Sequence, residues 1–69
     1  MSTHTARYTV VGMTCEHCVA SVTEEVAEVD GVTDVRVDLA TGALEVAGDR
    51  PVPDADVRSA VAEAGYRLA

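Results

Sequence analysis

Residues 6–18 read Ala-Arg-Tyr-Thr-Val-Val-Gly-Met-Thr-Cys-Glu-His-Cys, and the fold turns on how the period changes along them. Up to Val11 the residues alternate. Tyr8 and Val10 share one face and Arg7 and Thr9 the other, as in a half-buried strand over Ala6–Val11. Gly12 stops the alternation. From Cys15 to Val29 the apolar residues fall at Val19, Val22, Val26 and Val29, spacings of three and four that draw one helical stripe. Glu24, Glu25 and Glu28 lie on the opposite side. Thr14 is the expected N-cap of this helix, and Asp30-Gly31 its stop, with Gly31 suited to a left-handed cap. A strand thus becomes a helix across a loop that carries both cysteines of the chain.

Downstream, the period returns to two. Val35, Val37 and Leu39 point one way and Asp34, Arg36 and Asp38 the other, predicting a strand over Val32–Leu39. Ala40-Thr41-Gly42 is a turn. Ala43–Ala47 follows with Leu44 and Val46 inward, and so short a connection makes the two strands an antiparallel hairpin. Pro53 and Asp54 open a second helix, which suits the missing N–H of proline and the helix dipole. Its buried stripe is Val57, Ala60, Val61 and Ala64, and Gly65 closes it. Tyr66–Ala69 is a short last strand. The order strand, helix, strand, strand, helix, strand predicts an α+β domain over residues 1–69: a ferredoxin-like βαββαβ sandwich, with a four-stranded antiparallel sheet and two helices on one face. In that arrangement the loop after the first strand and the loop before the last lie at one end of the sheet. Gly12–Cys18 should therefore sit beside Gly65-Tyr66.

Composition removes whole classes of function. The 69 residues carry a formal charge of −7, with five basic residues, all arginine and all scattered, against twelve acidic ones. Nucleic-acid binding needs a basic stripe to displace counterions, and anionic membrane surfaces demand the same. No apolar run is long enough to span a bilayer. The first residues show no apolar stretch behind a basic start, so no signal peptide is expected and a cytoplasmic location is. In a reducing compartment two cysteines point to thiol chemistry or metal rather than to a disulfide framework.

The chemistry therefore concentrates on Cys15 and Cys18. A separation of three brings both sulfurs to the start of the helix, where the positive end of its dipole favours thiolate over thiol. Two convergent thiolates without further protein ligands suit a soft ion of low coordination number, and Cu(I) fits best. Zn(II) ordinarily takes four ligands, whereas this loop offers two sulfurs and at most His17. His17 falls between the cysteines and should face outward. The competing reading is a redox dithiol. A disulfide here would close a very small loop and stabilise little. The hairpin directly after the first helix also departs from the order of thiol oxidoreductases.

The segment Gly12-Met13-Thr14-Cys15-Glu16-His17-Cys18 resembles the metal-binding motif of the heavy-metal-associated domain family. Asp30-Gly31-Val32, the Val35/Val37 hairpin and Ala64-Gly65-Tyr66 also fit that pattern, so the resemblance covers nearly the whole chain. The family includes small cytosolic copper chaperones and the N-terminal domains of copper-transporting P-type ATPases. The resemblance implies Cu(I) held as a near-linear bis-thiolate by Cys15 and Cys18. Met13 would be tucked into the core, and Tyr66 would shield the site as in bacterial members. Thr14 stands where zinc-selective members often carry aspartate. It implies transfer to a copper-transporting P-type ATPase, with a copper-responsive repressor as another recipient. It also implies a monomer without metal and no enzymatic activity, and His17, exposed between the cysteines, is a candidate for metal contact only in a copper-bridged dimer or a docked complex. Alternatives within the resemblance are a regulatory domain of a transporting ATPase and a mercury- or zinc-binding relative. A start at Met1 and an end at the last strand favour a free protein over an excised domain.

Overall fold

A computed structural model describes residues 3–69. Its elements run β1 (His4–Val11), α1 (Glu16–Ala27), β2 (Val32–Val37), β3 (Ala43–Gly48), α2 (Asp54–Glu63) and β4 (Arg67–Leu68). The strands form one antiparallel sheet in the order β2-β3-β1-β4. The βαββαβ order and the sheet match the expected ferredoxin-like sandwich.

The alternation read from the sequence is the alternation seen. Val10, Leu44 and Val46 turn inward from the sheet, and Val22, Val26, Val57, Ala60 and Val61 meet them from both helices in one cluster. Among the described residues every fully enclosed side chain is valine or leucine. No buried side-chain nitrogen or oxygen there lacks a hydrogen-bond partner. Small β-branched side chains have few rotamers to lose and interdigitate closely, which suits a core with so little volume. Each fully buried valine or leucine contributes roughly 1.5–3 kcal/mol from area removed from water.

Several boundaries differ from expectation for local reasons. β1 starts at His4 rather than Ala6, because β3 is long enough to pair His4 with Gly48. β2 stops at Val37, so Leu39 falls in the turn and is exposed rather than inward. In that turn Asp38 Oδ1 accepts a hydrogen bond from the Ala40 amide at 2.9 Å, diverting the backbone from the ladder. α1 is shorter than Cys15–Val29, and its N-cap is Cys15, not Thr14. Cys15 has extended backbone angles (φ −155°, ψ 170°), and its carbonyl accepts the first bonds of the helix, from the amides of Cys18 and Val19. No side chain caps this end. β4 is limited to Arg67–Leu68, which leaves Tyr66 in the connection before it. Gly31 has the expected left-handed backbone (φ +91°).

Candidate metal centre

The loop between β1 and α1 owes its course to Gly12, whose φ of +100° disfavours any residue with a Cβ. A Cβ there would lie 3.5 Å from Cδ1 of Tyr66, so the tyrosine ring rests directly against the turn. The end-to-end placement of Gly12–Cys18 and Gly65-Tyr66 expected from the element order is present. Met13, next along, is half-buried and packs against the core cluster. It anchors the loop from beneath. Thr14, Cys15, Glu16 and His17 are exposed.

The two sulfurs lie 3.3 Å apart. Both cysteines are free, Cys15 exposed and Cys18 half-buried in the first turn of α1. Their surroundings differ. Donors on the Thr14 backbone, the Tyr66 hydroxyl and Cys15 act on the Cys18 sulfur, and these hold its pKa down at about 6. Each donor favours the charged form of the group it touches. The Tyr66 phenol is correspondingly pushed up, chiefly because its proton is engaged by Cys18. The Thr14 hydroxyl stands 4.0 Å from the same sulfur, one residue ahead of the cap position that Cys15 occupies. The first amides of α1 have no acceptor within the helix, so the positive end of its dipole also faces the sulfurs.

Among the described residues no grouping of three or more His, Cys, Asp or Glu side chains is arranged to hold a metal ion. His17 is thus not gathered with the cysteines into a three-donor cluster, and Glu16 points to solvent as well. What the loop presents is a pair of soft donors at an exposed end of the sheet, one of them already favoured as thiolate. The sequence did not foretell the asymmetry between the two sulfurs. It depends on a tyrosine 48 positions after Cys18, which the predicted adjacency of the two loops and the family resemblance both placed at the site without saying which sulfur it would meet.

Comparison with known proteins places this geometry. The family profile described as "Heavy-metal-associated domain" matches residues 7–67. The chain is 41% identical over 61 residues to the copper chaperone CopZ of Bacillus subtilis, covering 87% of this chain and 88% of that protein. It superposes on the solved structure of a CopZ metallochaperone with a TM-score of 0.89 at 30% identity, covering 96% of this chain and 100% of the other. It is also similar to the N-terminal domain of a potential copper-translocating P-type ATPase from Bacillus subtilis, with a TM-score of 0.85 at 26% identity. That match covers 97% of this chain and 85% of the other.

Proposed function

The chain belongs to the heavy-metal-associated domain family, and from that premise we propose that it is a copper chaperone whose cargo, Cu(I), is held by Cys15 and Cys18 and handed to a copper-transporting P-type ATPase. The observation that carries this reading is the pair of sulfurs 3.3 Å apart at an exposed helix start with no third donor gathered beside them. A tetrahedral Zn(II) site would be left half-filled, whereas Cu(I) is content with two thiolates. The chain is a metal carrier, not an enzyme.

Transfer proceeds by ligand exchange. A thiolate of the recipient adds to the two-coordinate ion, and a bond to one of the chain's own sulfurs then breaks. One of Cys15 or Cys18 leaves first, and the other stays until the recipient's second thiolate replaces it. No catalytic base is required, because the entering and leaving groups are both thiolates. We place the protein in the cytoplasm, where thiols remain reduced. No helix among the described residues is long and apolar enough to cross a membrane.

The test is a competition titration against a Cu(I) chelator under reducing conditions. One ion should bind per chain and be lost in Cys15→Ser and in Cys18→Ser. Tight binding that survives in both variants would overturn the assignment. His17→Ala should leave this first ion in place. If it abolishes copper-induced dimers in sedimentation, the histidine bridges between chains, and if dimers persist it does not. The carboxylates of the two helices favour a basic face on the recipient, so added salt should slow transfer.

A further inference from the structure

Beside the turn at Gly12 that leads into the cysteine loop, an open cavity of about 410 Å³ is lined by Val11, Gly12, Gly65, Tyr66 and Arg67. Two of these are glycines, and around Gly65 no heavy atom stands within 4 Å of where a Cβ would be. Val11 and Tyr66 supply its larger apolar side chains. Val11 and Arg67 are direct partners across the β1–β4 ladder and so share one face of the sheet.

Two features set this place apart from the rest of the surface. Among the described residues only Val11 and Leu39 are exposed large hydrophobic side chains, each at 36%. Leu39 lies in a turn, whereas Val11 borders the metal loop. Of the five arginines, Arg7, Arg36 and Arg50 are engaged with Glu45, with Asp34, and with Asp30 and Asp49. Arg58 stands near the Tyr8–Asp54 pair, close enough to influence the phenol. Arg58 and Arg67 both lack an ion pair among the described residues, and of these two only Arg67, which is exposed, lines this cavity, where no carboxylate is among the lining residues. In a chain of charge −7, a free cation next to an exposed valine and a thiolate pair is a local reversal of the surface.

We propose that this socket registers the recipient against the metal loop: an apolar side chain of the ATPase metal-binding domain seats between Val11 and the Tyr66 ring, and a neighbouring carboxylate pairs with Arg67. The inference rests on the chaperone reading and adds to it a specific contact surface. Charge complementarity fixes the anion as a partner carboxylate. A polyanion such as nucleic acid would be repelled by the chain as a whole before one arginine could hold it. Continuity with the sulfurs fixes the occupant as the protein that receives the ion. Seating it there brings the recipient's thiolates alongside Cys15 with the orientation already chosen, and orientation is what limits ordinary association rates. The helix carboxylates and the socket thereby divide the work. The former attract a basic recipient from a distance, and the latter selects its register on contact.

The experiment uses the full chain loaded with Cu(I), and as recipient the Bacillus subtilis ATPase N-terminal domain compared above. Transfer is followed by stopped flow, and the Cu(I) affinity of each variant is measured separately by chelator competition. Arg67→Glu should slow transfer about tenfold and Val11→Thr about threefold, each with copper affinity within about twofold of the parent. Amide shifts on adding the recipient should include Val11, Gly65 and Arg67. Both residues are exposed, so the fold should persist, and Arg67→Gln, expected to fall between the parent and Arg67→Glu, guards against a general effect of reversing charge. Unchanged transfer rates in Arg67→Glu and Val11→Thr would overturn the socket while leaving the chaperone reading intact. Failure of the parent chain to take up Cu(I) would overturn both.

Discussion

The two helices begin in opposite ways, although neither has a side-chain cap. α2 opens with Pro53 at its N-cap and Asp54 and Asp56 in the first turn, carboxylates that complement the positive end of the helix dipole. Asp54 Oδ1 accepts a hydrogen bond of 2.7 Å from the Tyr8 hydroxyl, which ties that end of the helix to the sheet. Burial and this bond push the Tyr8 phenol up to about 12. α1 opens with Cys15 at its N-cap and only Glu16 as a first-turn acid, and the group that meets a tyrosine there is the Cys18 sulfur. Each of the two tyrosines in the chain thus acts on an acidic group at the start of a helix. At α2 the anion is a hard carboxylate and the result is a fastening. At α1 it is a soft thiolate, with a second sulfur 3.3 Å away, and the result is the proposed metal site. One geometric device serves structure or chemistry according to which atom carries the charge.

The contrast is broken most directly by exchanging what each start holds. Cys18→Ser should lower Cu(I) affinity by at least about a hundredfold in chelator competition, while Asp54→Asn should leave it unchanged, since oxygen is a poor partner for that ion. Next in size is the core that both helix starts depend on. Leu44 is fully buried, and Leu44→Ala should cost about 2–5 kcal/mol in urea denaturation, enough to leave so small a domain largely unfolded. Tyr8→Phe and Tyr66→Phe then separate the two roles. Tyr8→Phe should cost about 0.5–1 kcal/mol of stability with copper binding intact. Tyr66→Phe should instead raise the pH at which Cys18 is alkylated.

The pH dependence has a definite sign. Cys18 titrates at about 6 in the folded chain against 9.0 without those donors, so between these values the unfolded chain binds more protons. Stability from this group is complete above pH 9, and it is lost as the pH falls through about 6. Urea midpoints of the reduced, metal-free protein should therefore rise from pH 6 toward pH 9, and Cys18→Ser should flatten that rise. The smallest effect is expected at Thr14. Because Cys15 and not Thr14 is the N-cap, Thr14→Ala should cost less than the ~1 kcal/mol typical of a lost cap.

Much of this was legible in the residues alone. Alternation at Tyr8 and Val10, and at Leu44 and Val46, combined with the three-and-four spacing from Val19 to Val29, forces a strand–helix–hairpin order with one apolar face per element. With so few residues, few arrangements bury all those faces together. The cysteine loop was equally legible, because its position follows from that order and not from any detail of packing. What escaped were features decided by individual side-chain contacts, near or far in sequence, and not by periodicity. Leu39 looked like a third inward position, but the Asp38 side chain turns the backbone just before it. Thr14 looked like a cap, but its neighbour took the place and its hydroxyl turned toward Cys18. The Tyr8–Asp54 bond joins residues 46 positions apart, and no periodicity encodes it. The isolation of Arg67 is likewise a fact about what its neighbours lack.

The chain has no tryptophan and no phenylalanine, and its tyrosines stand one at each helix start. Its near-ultraviolet spectrum is therefore the sum of two phenols in known and different company. Light absorbed by Tyr66 reports on the hydrogen bond to Cys18 and so on whatever engages that sulfur. Light absorbed by Tyr8 reports on the carboxylate that fastens α2. Difference spectra of the unlabelled protein, with Tyr8→Phe and Tyr66→Phe as references, turn an aromatic-poor sequence into its own optical gauge of loading and of folding.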